Sequence, residues 1–300
     1  MRILVIGEPC IDVIHKADGK VYNEHGGITY SVVAGAMFDD GVEVVPIIGL
    51  NADDAPYFTE LLAQLKPANL SGIYNVDPPT RRVNLFYEDE NKRWECSTQP
   101  IQPTPFEKIS PFLPSEGIHL NLISGSDIEL RTLQKIRATA PDSHIHLDLH
   151  NIVMQRQPDS KRIRAPRGDY LEWCSCADTV QLNEDEANII DTSTNVRSIL
   201  AAKVLDAGPE ALIITLAEKG LVLFEKSKGN LREHFFPPSK TIVVDPTGSG
   251  DVLGAAFLHA ITKGRDYLEA AQLGADMAAK KVAAAGPGGL LKWRAADSHA

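Results

Sequence analysis

The segment Asp245-Pro-Thr-Gly-Ser-Gly-Asp251 brings two glycines and an acid to the start of a predicted helix, after an apolar run at 241–244. Gly248 and Gly250 allow backbone angles that other residues avoid, so the amides of this segment can point into one cavity. The partial positive charge of a helix N-terminus favours an anion there. Asp251 lies in the first turn, where, beside a bound phosphate, it can take the proton of a hydroxyl that attacks the γ-phosphate. The segment therefore predicts phosphoryl transfer.

Two better-known nucleotide signatures do not fit this segment. Gly248, Gly250 and Gly254 have the spacing G-x-G-x-x-x-G, which is one residue longer than the Rossmann fingerprint. The chain contains no G-x-x-x-x-G-K-[ST] sequence, so a P-loop is not predicted either. Gly254 instead favours close packing of the helix on a sheet. Taken alone, the segment is equally well explained as an ordinary turn between a strand and a helix.

Polar residues follow two predicted strands at the end where α/β proteins bind ligands. Asp12 comes shortly after the first strand, and Asn183 and Glu186 open a helix directly after the strand at 179–182. With Asn183 as N-cap and Glu186 near the third helical position, the pair also fits a capping box, which is the purely structural explanation. Capping and phosphate binding can coexist.

His144, His146, Asp148 and His150 alternate, so one face of a predicted strand could carry all four. Such a pattern is compatible with a transition-metal cluster. We favour another explanation, in which His144 starts the strand, His146 is buried, and Asp148 and His150 emerge at the ligand end. In that case Asp148 or His150 contacts substrate.

The elements between these residues predict the fold that positions them. Apolar runs of strand length occur at 2–7, 42–49, 118–123, 144–149, 179–182 and 211–216. Helical patterns lie between them at 57–65, 128–140, 184–190 and 196–206. Fully apolar strands indicate a parallel sheet, and their alternation with helices predicts a doubly wound α/β fold, with a mostly parallel central sheet flanked by helices.

Two segments break this alternation and predict a small β-lid over one edge of the sheet. Residues 13–27 are polar without a helical period, and 80–98 contain a hairpin with a charged turn at 88–93. Arg81 and Arg82 enter the hairpin, where they either solvate the lid or bind a substrate carboxylate or phosphate. A small sheet with an exposed face needs a cover, which leaves a homodimer through the lid open. We expect one domain over 1–293 and a loose tail at 294–300.

Composition narrows the functional classes. The chain has 300 residues and a formal net charge of −10, which disfavours nonspecific nucleic-acid binding. No apolar run approaches the ~18 residues of a membrane span, so no membrane association is expected. The first residues are typical of a strand rather than a secretory leader, and the four cysteines lack zinc spacing. We therefore expect a cytoplasmic protein with reduced thiols.

From residue 1 to about residue 293, the chain resembles the ribokinase-like, or PfkB, carbohydrate kinases. Its segment Asp245–Asp251 looks like the C-terminal signature of that family. The other matching stretches are Val5-Ile-Gly7 with Asp12, Gly26-Gly27, Gly49 with Asp53, Asn183-Glu-Asp-Glu186 as N-x-x-E, and Thr215-Leu-Ala-Glu-Lys-Gly220 as T-L-G-x-x-G with Ala217 in place of a glycine. The resemblance implies a kinase that uses ATP and Mg²⁺ to phosphorylate a hydroxyl of a small sugar or sugar derivative. It leaves a monovalent cation open as a further cofactor.

The resemblance also implies roles at the donor side of the site. Asp251 would be the catalytic base. The anion hole for the developing γ-phosphate charge would be Gly248, Ser249 and Gly250. The residues beside the nucleotide and its Mg²⁺-bound phosphates would be Asn183, Glu186, Thr215 and Gly220. Glu186 would act through water, because Mg²⁺ keeps much of its hydration shell.

On the acceptor side, the residues expected at the substrate are Asp12, Gly26, Gly27 and Asp148. The resemblance implies that Asp12 accepts hydrogen bonds from substrate hydroxyls and that Gly26-Gly27 is the hinge of the lid. Ribose-binding members often read G-G-K-G-A-N after the hinge, whereas this chain reads Gly26-Gly-Ile-Thr-Tyr-Ser31. The acceptor is therefore open between a sugar and a nucleoside. The other alternative is a catalytically silent nucleotide-binding protein.

Overall fold

The computed structural model describes residues 1–16, 18–87, 93–98, 102–193, 196–227 and 229–291. The predicted tail at 294–300 and residues 88–92 of the predicted turn lie outside these ranges. The described residues form a nine-stranded sheet, a four-stranded sheet and a two-stranded hairpin.

The strands of the described residues are, in chain order, β1 (Arg2–Ile6), β2 (Pro9–His15), β3 (Val21–Gly27), β4 (Glu43–Leu50), β5 (Ile73–Asn75), β6 (Arg81–Tyr87), β7 (Arg93–Ser97), β8 (Gly117–Asn121), β9 (His144–Asp148), β10 (Met154–Arg156), β11 (Arg162–Arg164), β12 (Thr179–Asn183), β13 (Ala211–Thr215), β14 (Leu221–Ser227) and β15 (Asn230–Phe236). The large sheet has the order β15-β14-β13-β12-β9-β8-β1-β4-β5. Its strands from β13 to β5 run parallel, and β14 and β15 extend it as an antiparallel hairpin. The predicted doubly wound, mostly parallel sheet is thus confirmed.

The α-helices of the described residues are α1 (Thr29–Ala36), α2 (Ala55–Leu62), α3 (Phe106–Ile109), α4 (Leu130–Thr139), α5 (Tyr170–Cys174), α6 (Glu184–Ile190), α7 (Arg197–Asp206), α8 (Ser249–Thr262) and α9 (Tyr267–Val282). Their side chains cover both faces of the large sheet. Within the described parts of the chain, no helix combines the length and the apolar character that a membrane crossing requires.

The large sheet has an apolar core on each face. On β1, Leu4 and Ile6 belong to one core, and Ile3 and Val5 belong to the other. Helices α4 to α7 contribute to the first core, and α1, α2 and α8 contribute to the second. Each fully buried aliphatic side chain contributes about 1.5–3 kcal/mol, so alternate side chains of the inner strands fix the sheet between two helical layers.

The four-stranded sheet, which we call the second sheet, has the order β3-β2-β6-β7. It is built from the two segments expected to form a lid, but β2 begins at Pro9, before the expected start at residue 13. The reason is that β2 pairs on both sides, antiparallel with β3 and parallel with β6. The hairpin β10–β11 approaches the edge of this sheet, where the Ser97 amide donates to the Ser160 carbonyl at 3.2 Å.

The chain order of the strands creates a crevice in the large sheet. From β1 the chain continues to β4 and β5 on one side, and it later adds β8, β9, β12 and β13 on the other side. The chain therefore leads from β1 toward one edge of the sheet and from β8 toward the opposite edge. In open α/β sheets, ligands bind at such a reversal, beyond the carboxyl ends of the strands.

Candidate active site

A cleft of about 600 Å³ lies at this edge of the large sheet, between the strand ends, the start of α8 and the second sheet. The predicted site residues that line it are Asp12, Gly27, Asp148, Asn183, Glu186, Thr215, Gly248, Ser249, Gly250 and Asp251. Gly26 and Gly220 do not line it. The structure therefore brings together residues that are more than 200 positions apart in the sequence.

The start of α8 depends on one glycine. Gly248 caps the helix in the left-handed region, with φ of 78°. A Cβ at this position would lie 2.3 Å from the ring of Tyr30, so no side chain fits. Gly250 is not in that region, and its Cβ would approach only the Gln181 side chain, at 3.7 Å. The expectation of unusual angles at both glycines is therefore right for Gly248 and wrong for Gly250. The Ser249 amide donates to the Pro246 carbonyl at 3.3 Å, and the next two amides of the first turn of α8, those of Gly250 and Asp251, can bind an anion.

Asp251 is buried in the first turn of α8. Its Oδ1 accepts a hydrogen bond from Asn121 Nδ2 at 2.5 Å, and its main-chain carbonyl accepts one from Ser31 Oγ at 3.3 Å. Burial raises the pKa of Asp251, while His150 and the Asn121 hydrogen bond act in the opposite direction. A carboxylate with a raised pKa is a stronger proton acceptor, which suits a general base.

Asn121, Asp148 and Gln181 form a row of polar side chains across β8, β9 and β12. The register of the sheet pairs Asn121 with Asp148 and Asp148 with Gln181. Gln181 Nε2 donates to Asp148 Oδ2 at 3.1 Å and to the Gly250 carbonyl at 2.9 Å. The row thus ties the sheet to the first turn of α8. Sequence reasoning missed Asn121 and Gln181, although a polar residue near the end of an apolar strand was an available signal.

Asn183 and Glu186 form the capping box that their spacing predicts. Asn183 Oδ1 accepts the Glu186 amide at 2.9 Å, and Glu186 Oε2 accepts the Asn183 amide at 2.7 Å. The other carboxylate oxygen of Glu186, Oε1, lies 3.5 Å from His150 Nδ1. One oxygen therefore shapes the start of α6, and the other contacts a second residue of the cleft.

His150 is the cation within a group of three carboxyl side chains. Burial lowers the pKa of His150, but Glu186, Asp148 and Asp251 outweigh it and raise that pKa to about 9. Burial raises the pKa of Asp148 to about 8, against the effect of His150. An imidazolium at the cleft can neutralise part of the charge of a bound phosphate.

Thr215 and Gly220, both expected beside the nucleotide, differ in their positions relative to the cleft. Thr215 lines the cleft. Gly220 has φ of 100°, and a Cβ there would lie 2.1 Å from the Phe236 carbonyl oxygen, so close approach to β15 explains this glycine structurally. Ala217, which stands where the family pattern has glycine, lines the cleft with φ of 53°.

Asp12 lies on β2 beside the two glycines that end β3. Cys10 Sγ donates to Asp12 Oδ1 at 3.3 Å. A Cβ on Gly26 would lie 2.5 Å from the Asp12 carboxylate, and a Cβ on Gly27 would lie 2.4 Å from the Glu8 carbonyl oxygen. Gly27 also has φ of 60°. Close packing therefore requires both glycines, and their action as a hinge stays a prediction.

Two arginines with carboxylate partners line the cleft at the second sheet. Arg81 Nε lies 3.1 Å from Glu8 Oε1, and both side chains are 2% exposed. Arg162 Nη1 lies 3.0 Å from Glu95 Oε1. Arg162 comes from the hairpin β10–β11, which the sequence did not reveal because residues 154–164 are mostly polar and lack an apolar alternation.

Two other groups that the sequence singled out lie away from the cleft. Arg82 Nη2 pairs with Asp54 Oδ1 at 3.0 Å. His146 is fully buried, with Nδ1 2.9 Å from Thr179 Oγ1. A Cβ at Gly254 would lie 2.9 Å from His146 Nε2, which is the close helix–sheet packing expected of that glycine. Within the described ranges, no group of three or more His, Cys, Asp or Glu side chains is arranged to hold a metal ion.

Residues 123–294, which are more than half of the chain, match the family described as pfkB family carbohydrate kinase. The matched range contains the polar cluster around His150 and the whole start of α8. The chain belongs to the pfkB family of carbohydrate kinases. It is accordingly a phosphotransferase with an alcohol group as acceptor, as the sequence predicted.

Individual relatives of this PfkB protein agree with the assignment. The cytidine kinase of Thermococcus kodakarensis is 25% identical over 282 residues, which cover 93% of this chain and 95% of the relative. The ribokinase of Haemophilus influenzae is 30% identical over 115 residues, which cover 37% of this chain and 36% of that protein. A solved pyrophosphate-dependent kinase in the ribokinase family, complexed with a pyrophosphate analog and myo-inositol, has a TM-score of 0.80 at 19% identity and covers 96% of this chain and 97% of its own. The ribokinase-like fold predicted from the sequence is thereby confirmed.

Proposed function

We propose that this PfkB protein transfers the γ-phosphate of ATP to a hydroxyl of a small sugar or nucleoside, with Asp251 as the base. The observation that carries the proposal is the environment of Asp251, a buried carboxylate with a raised pKa in the first turn of α8. It lines the same cleft as the left-handed Gly248 turn. A base and an anion-binding turn at one point are what transfer of a phosphoryl group to an alcohol requires.

The hydrogen bonds of Asp251 suggest which oxygen meets the acceptor. Oδ1 accepts the Asn121 amide, so we assign Oδ2 to the acceptor hydroxyl. As the acceptor oxygen bonds to the γ-phosphorus, the bond from that phosphorus to the bridging oxygen of ADP breaks, and the hydroxyl proton passes to Asp251. The first-turn amides at Gly250 and Asp251 would stabilise the charge on the transferred group.

A carboxylate at the start of α6 suits the divalent cation that accompanies ATP. Glu186 lies in the first turn of that helix and lines the cleft, and carboxylate oxygens are ligands that fit Mg²⁺. Since Glu186 Oε2 is engaged in the capping box, we assign Glu186 to Mg²⁺ through water. When bound, Mg²⁺ would neutralise charge on the donor phosphates. Asn183 and Thr215 would border those phosphates and the nucleotide.

A nucleoside is the second candidate acceptor, and two observations favour it. One relative that matches almost the whole chain is a cytidine kinase. On β6, Val83 and Leu85 line the cleft beside Arg81. An apolar wall next to a polar group suits the face and the edge of a nucleobase better than a fully hydroxylated sugar.

Further expectations from the sequence complete the proposal. Residues 1–293 would act as one kinase domain, in which the second sheet closes as a lid about Gly26-Gly27 and excludes water from the transfer. Val21 and Tyr22 of β3 are 56% and 40% exposed, which supports a homodimer through this sheet. The four cysteines are free thiols, which supports a cytoplasmic location.

The test is a screen for ADP release with pentoses, hexoses, sugar acids, inositols and nucleosides as acceptors. We expect ADP release that requires an acceptor and is lost in Asp251→Asn. Binding of ATP without acceptor-dependent turnover would instead identify a silent nucleotide-binding protein. Parallel assays with pyrophosphate test the identity of the phosphoryl donor. Transfer from pyrophosphate but not from ATP would refute ATP as the donor and would still support phosphoryl transfer to an acceptor.

A further inference from the structure

Lys281 is a buried cation that the proposed reaction does not use. It lies in the last turn of α9, and its side chain is 0% exposed. Its Nζ donates to the main-chain carbonyl of Asp245 at 3.0 Å, to Asp245 Oδ2 at 3.1 Å and to the Ala284 carbonyl at 2.9 Å. Three acceptors require three N–H donors, which only the ammonium form has. The geometry therefore puts a full positive charge inside the protein.

The partner of this cation, Asp245, opens the segment that leads to the anion-binding turn. Asp245 Oδ1 accepts the Thr247 amide and Oδ2 accepts the Gly286 amide, both at 3.0 Å. The amide of Asp245 itself donates to the Val282 carbonyl at 3.0 Å. Lys281 thus joins the segment before Gly248 to the turn after α9, and these contacts set where the segment lies.

Tyr30 connects the same cation to the N-cap of α8. The Lys281 ammonium lies 5.4 Å from the centroid of the Tyr30 ring. The same ring also packs against Gly248, where a Cβ atom would lie 2.3 Å from it. The cation, the ring and the N-cap glycine are consecutive neighbours. Displacement of the ammonium would therefore shift the turn that binds the phosphoryl group.

The oxygen atoms around Lys281 Nζ are also suitable ligands for a free monovalent cation. Two main-chain carbonyls and one carboxylate around a buried point can replace the hydration shell of potassium. A tethered ammonium already fills this oxygen cradle, formed by Asp245 and Ala284, so a free ion does not fit there. We propose that Lys281 is the fixed cation that positions the anion-binding turn, and that phosphoryl transfer by this protein requires no free monovalent cation at this cradle. The second part rests on the proposed kinase function.

The first experiment uses the unmodified protein. Turnover and melting temperature are measured in tetramethylammonium chloride and in KCl or NH₄Cl at equal ionic strength. We expect the rate to change by no more than about twofold and the melting temperature to stay constant, because an ion that does not bind cannot shift either quantity. Stimulation by K⁺ or NH₄⁺ of about tenfold or more would overturn the proposal.

The second experiment opens the cradle. We expect Lys281→Ala to lower kcat by about 10²-fold without K⁺, since a turn displaced by about 1 Å loses that much, and KCl or NH₄Cl to restore part of it. In the same variant, K⁺ should raise the melting temperature. Lys281→Met keeps the bulk of the side chain, so we expect the loss without restoration. Lys263→Met is the control, because Lys263 pairs with Asp40 at the surface.

Full activity of Lys281→Ala without K⁺ would overturn the assignment. If that variant does not fold, the cation titration of the unmodified protein still decides the matter. If no acceptor supports turnover, the kinase proposal fails. The melting temperatures then test separately whether Lys281 occupies the cradle. A melting temperature that rises with K⁺ in the unmodified protein would refute that role of Lys281.

Discussion

At the α8 end of the cleft, one continuous segment supplies the N-cap Gly248, the first-turn amides and Asp251, whereas the second-sheet end is assembled from strands far apart in the chain. Asp12, Arg81 and Arg162 lie on β2, β6 and β11. In the proposed reaction, the first end would act mainly through the main chain and one acid, and the second would contact the acceptor through side chains. The chemistry of transfer can therefore stay constant while the acceptor site changes.

The two ends also differ in how firmly they are held. Residues 251–260 of α8 are all buried, Asn121 and Gln181 bond to its first turn, and Lys281 bonds to Asp245 in the segment that precedes it. On β3, by contrast, residues 21–23 are exposed. We therefore expect substitutions at the α8 end to lower kcat and substitutions at the second-sheet end to raise the acceptor KM.

The largest effect is expected at Asp251. Asp251→Asn should lower kcat by about 10²–10⁴-fold, because loss of a general base typically costs that much. ATP affinity, measured by calorimetry, should remain. Glu269→Gln is a matched control, since Glu269 lies in the first turn of α9 and is exposed. Near-normal turnover of the Asn variant would remove Asp251 from the mechanism.

The second largest effect is expected at Gly248, and it should distinguish Gly248 from Gly250. Gly248→Ala should destabilise the fold by about 1–2 kcal/mol from the left-handed conformation alone and should lower kcat by about 10²-fold as the turn shifts. Gly250→Ala should leave the unfolding midpoint in urea nearly unchanged, since its Cβ meets only a side chain at 3.7 Å. Equal unfolding midpoints for the two variants would contradict this reading of the turn.

A smaller effect is expected at the second-sheet end. Arg162→Met should raise the acceptor KM by about tenfold, in keeping with hydrogen bonds to a charged group, and should leave kcat and the KM for ATP unchanged. Arg164→Met on the same strand is the control, because Arg164 pairs with the exposed Asp185. If Arg162→Met instead lowered kcat and left the acceptor KM constant, the proposed difference between the two ends of the cleft would be wrong.

The smallest effect concerns pH. The pKa of His150 is raised to about 9, so the folded state holds this proton more tightly than the unfolded chain does. Its contribution to stability is complete below about pH 6.5 and is lost as the pH rises through about 9. The pKa of Asp148, raised to about 8, acts in the same direction. The melting temperature should fall over this range, and His150→Gln should flatten the profile. His234→Gln on β15 should follow the unmodified protein, and parallel profiles for all three proteins would refute the assignment.

The elements that the sequence predicted share a local signal. Apolar runs located β1, β4, β8, β9, β12 and β13. The antiparallel hairpin β14–β15 and helix α9 were missed. β15 lies at an exposed sheet edge and contains three consecutive polar residues at 232–234, so it has no regular alternation. The buried side of α9 is formed largely by alanine and Gly274, which give little apolar contrast. The hairpin β10–β11, which carries Arg162, has no apolar pattern at all.

By itself, the sequence determined what depends on neighbours within about one helical turn. The capping box at Asn183 and Glu186 and the left-handed turn at Gly248 follow from spacing, because their hydrogen bonds and dihedral angles are local. Only the tertiary structure decided that Asn121 would contact Asp251, 130 positions away, and that Lys281 would reach Asp245. Those contacts depend on sheet register and on the packing of α8 against α9. No pattern within a single segment encodes which distant side chains those two features bring together.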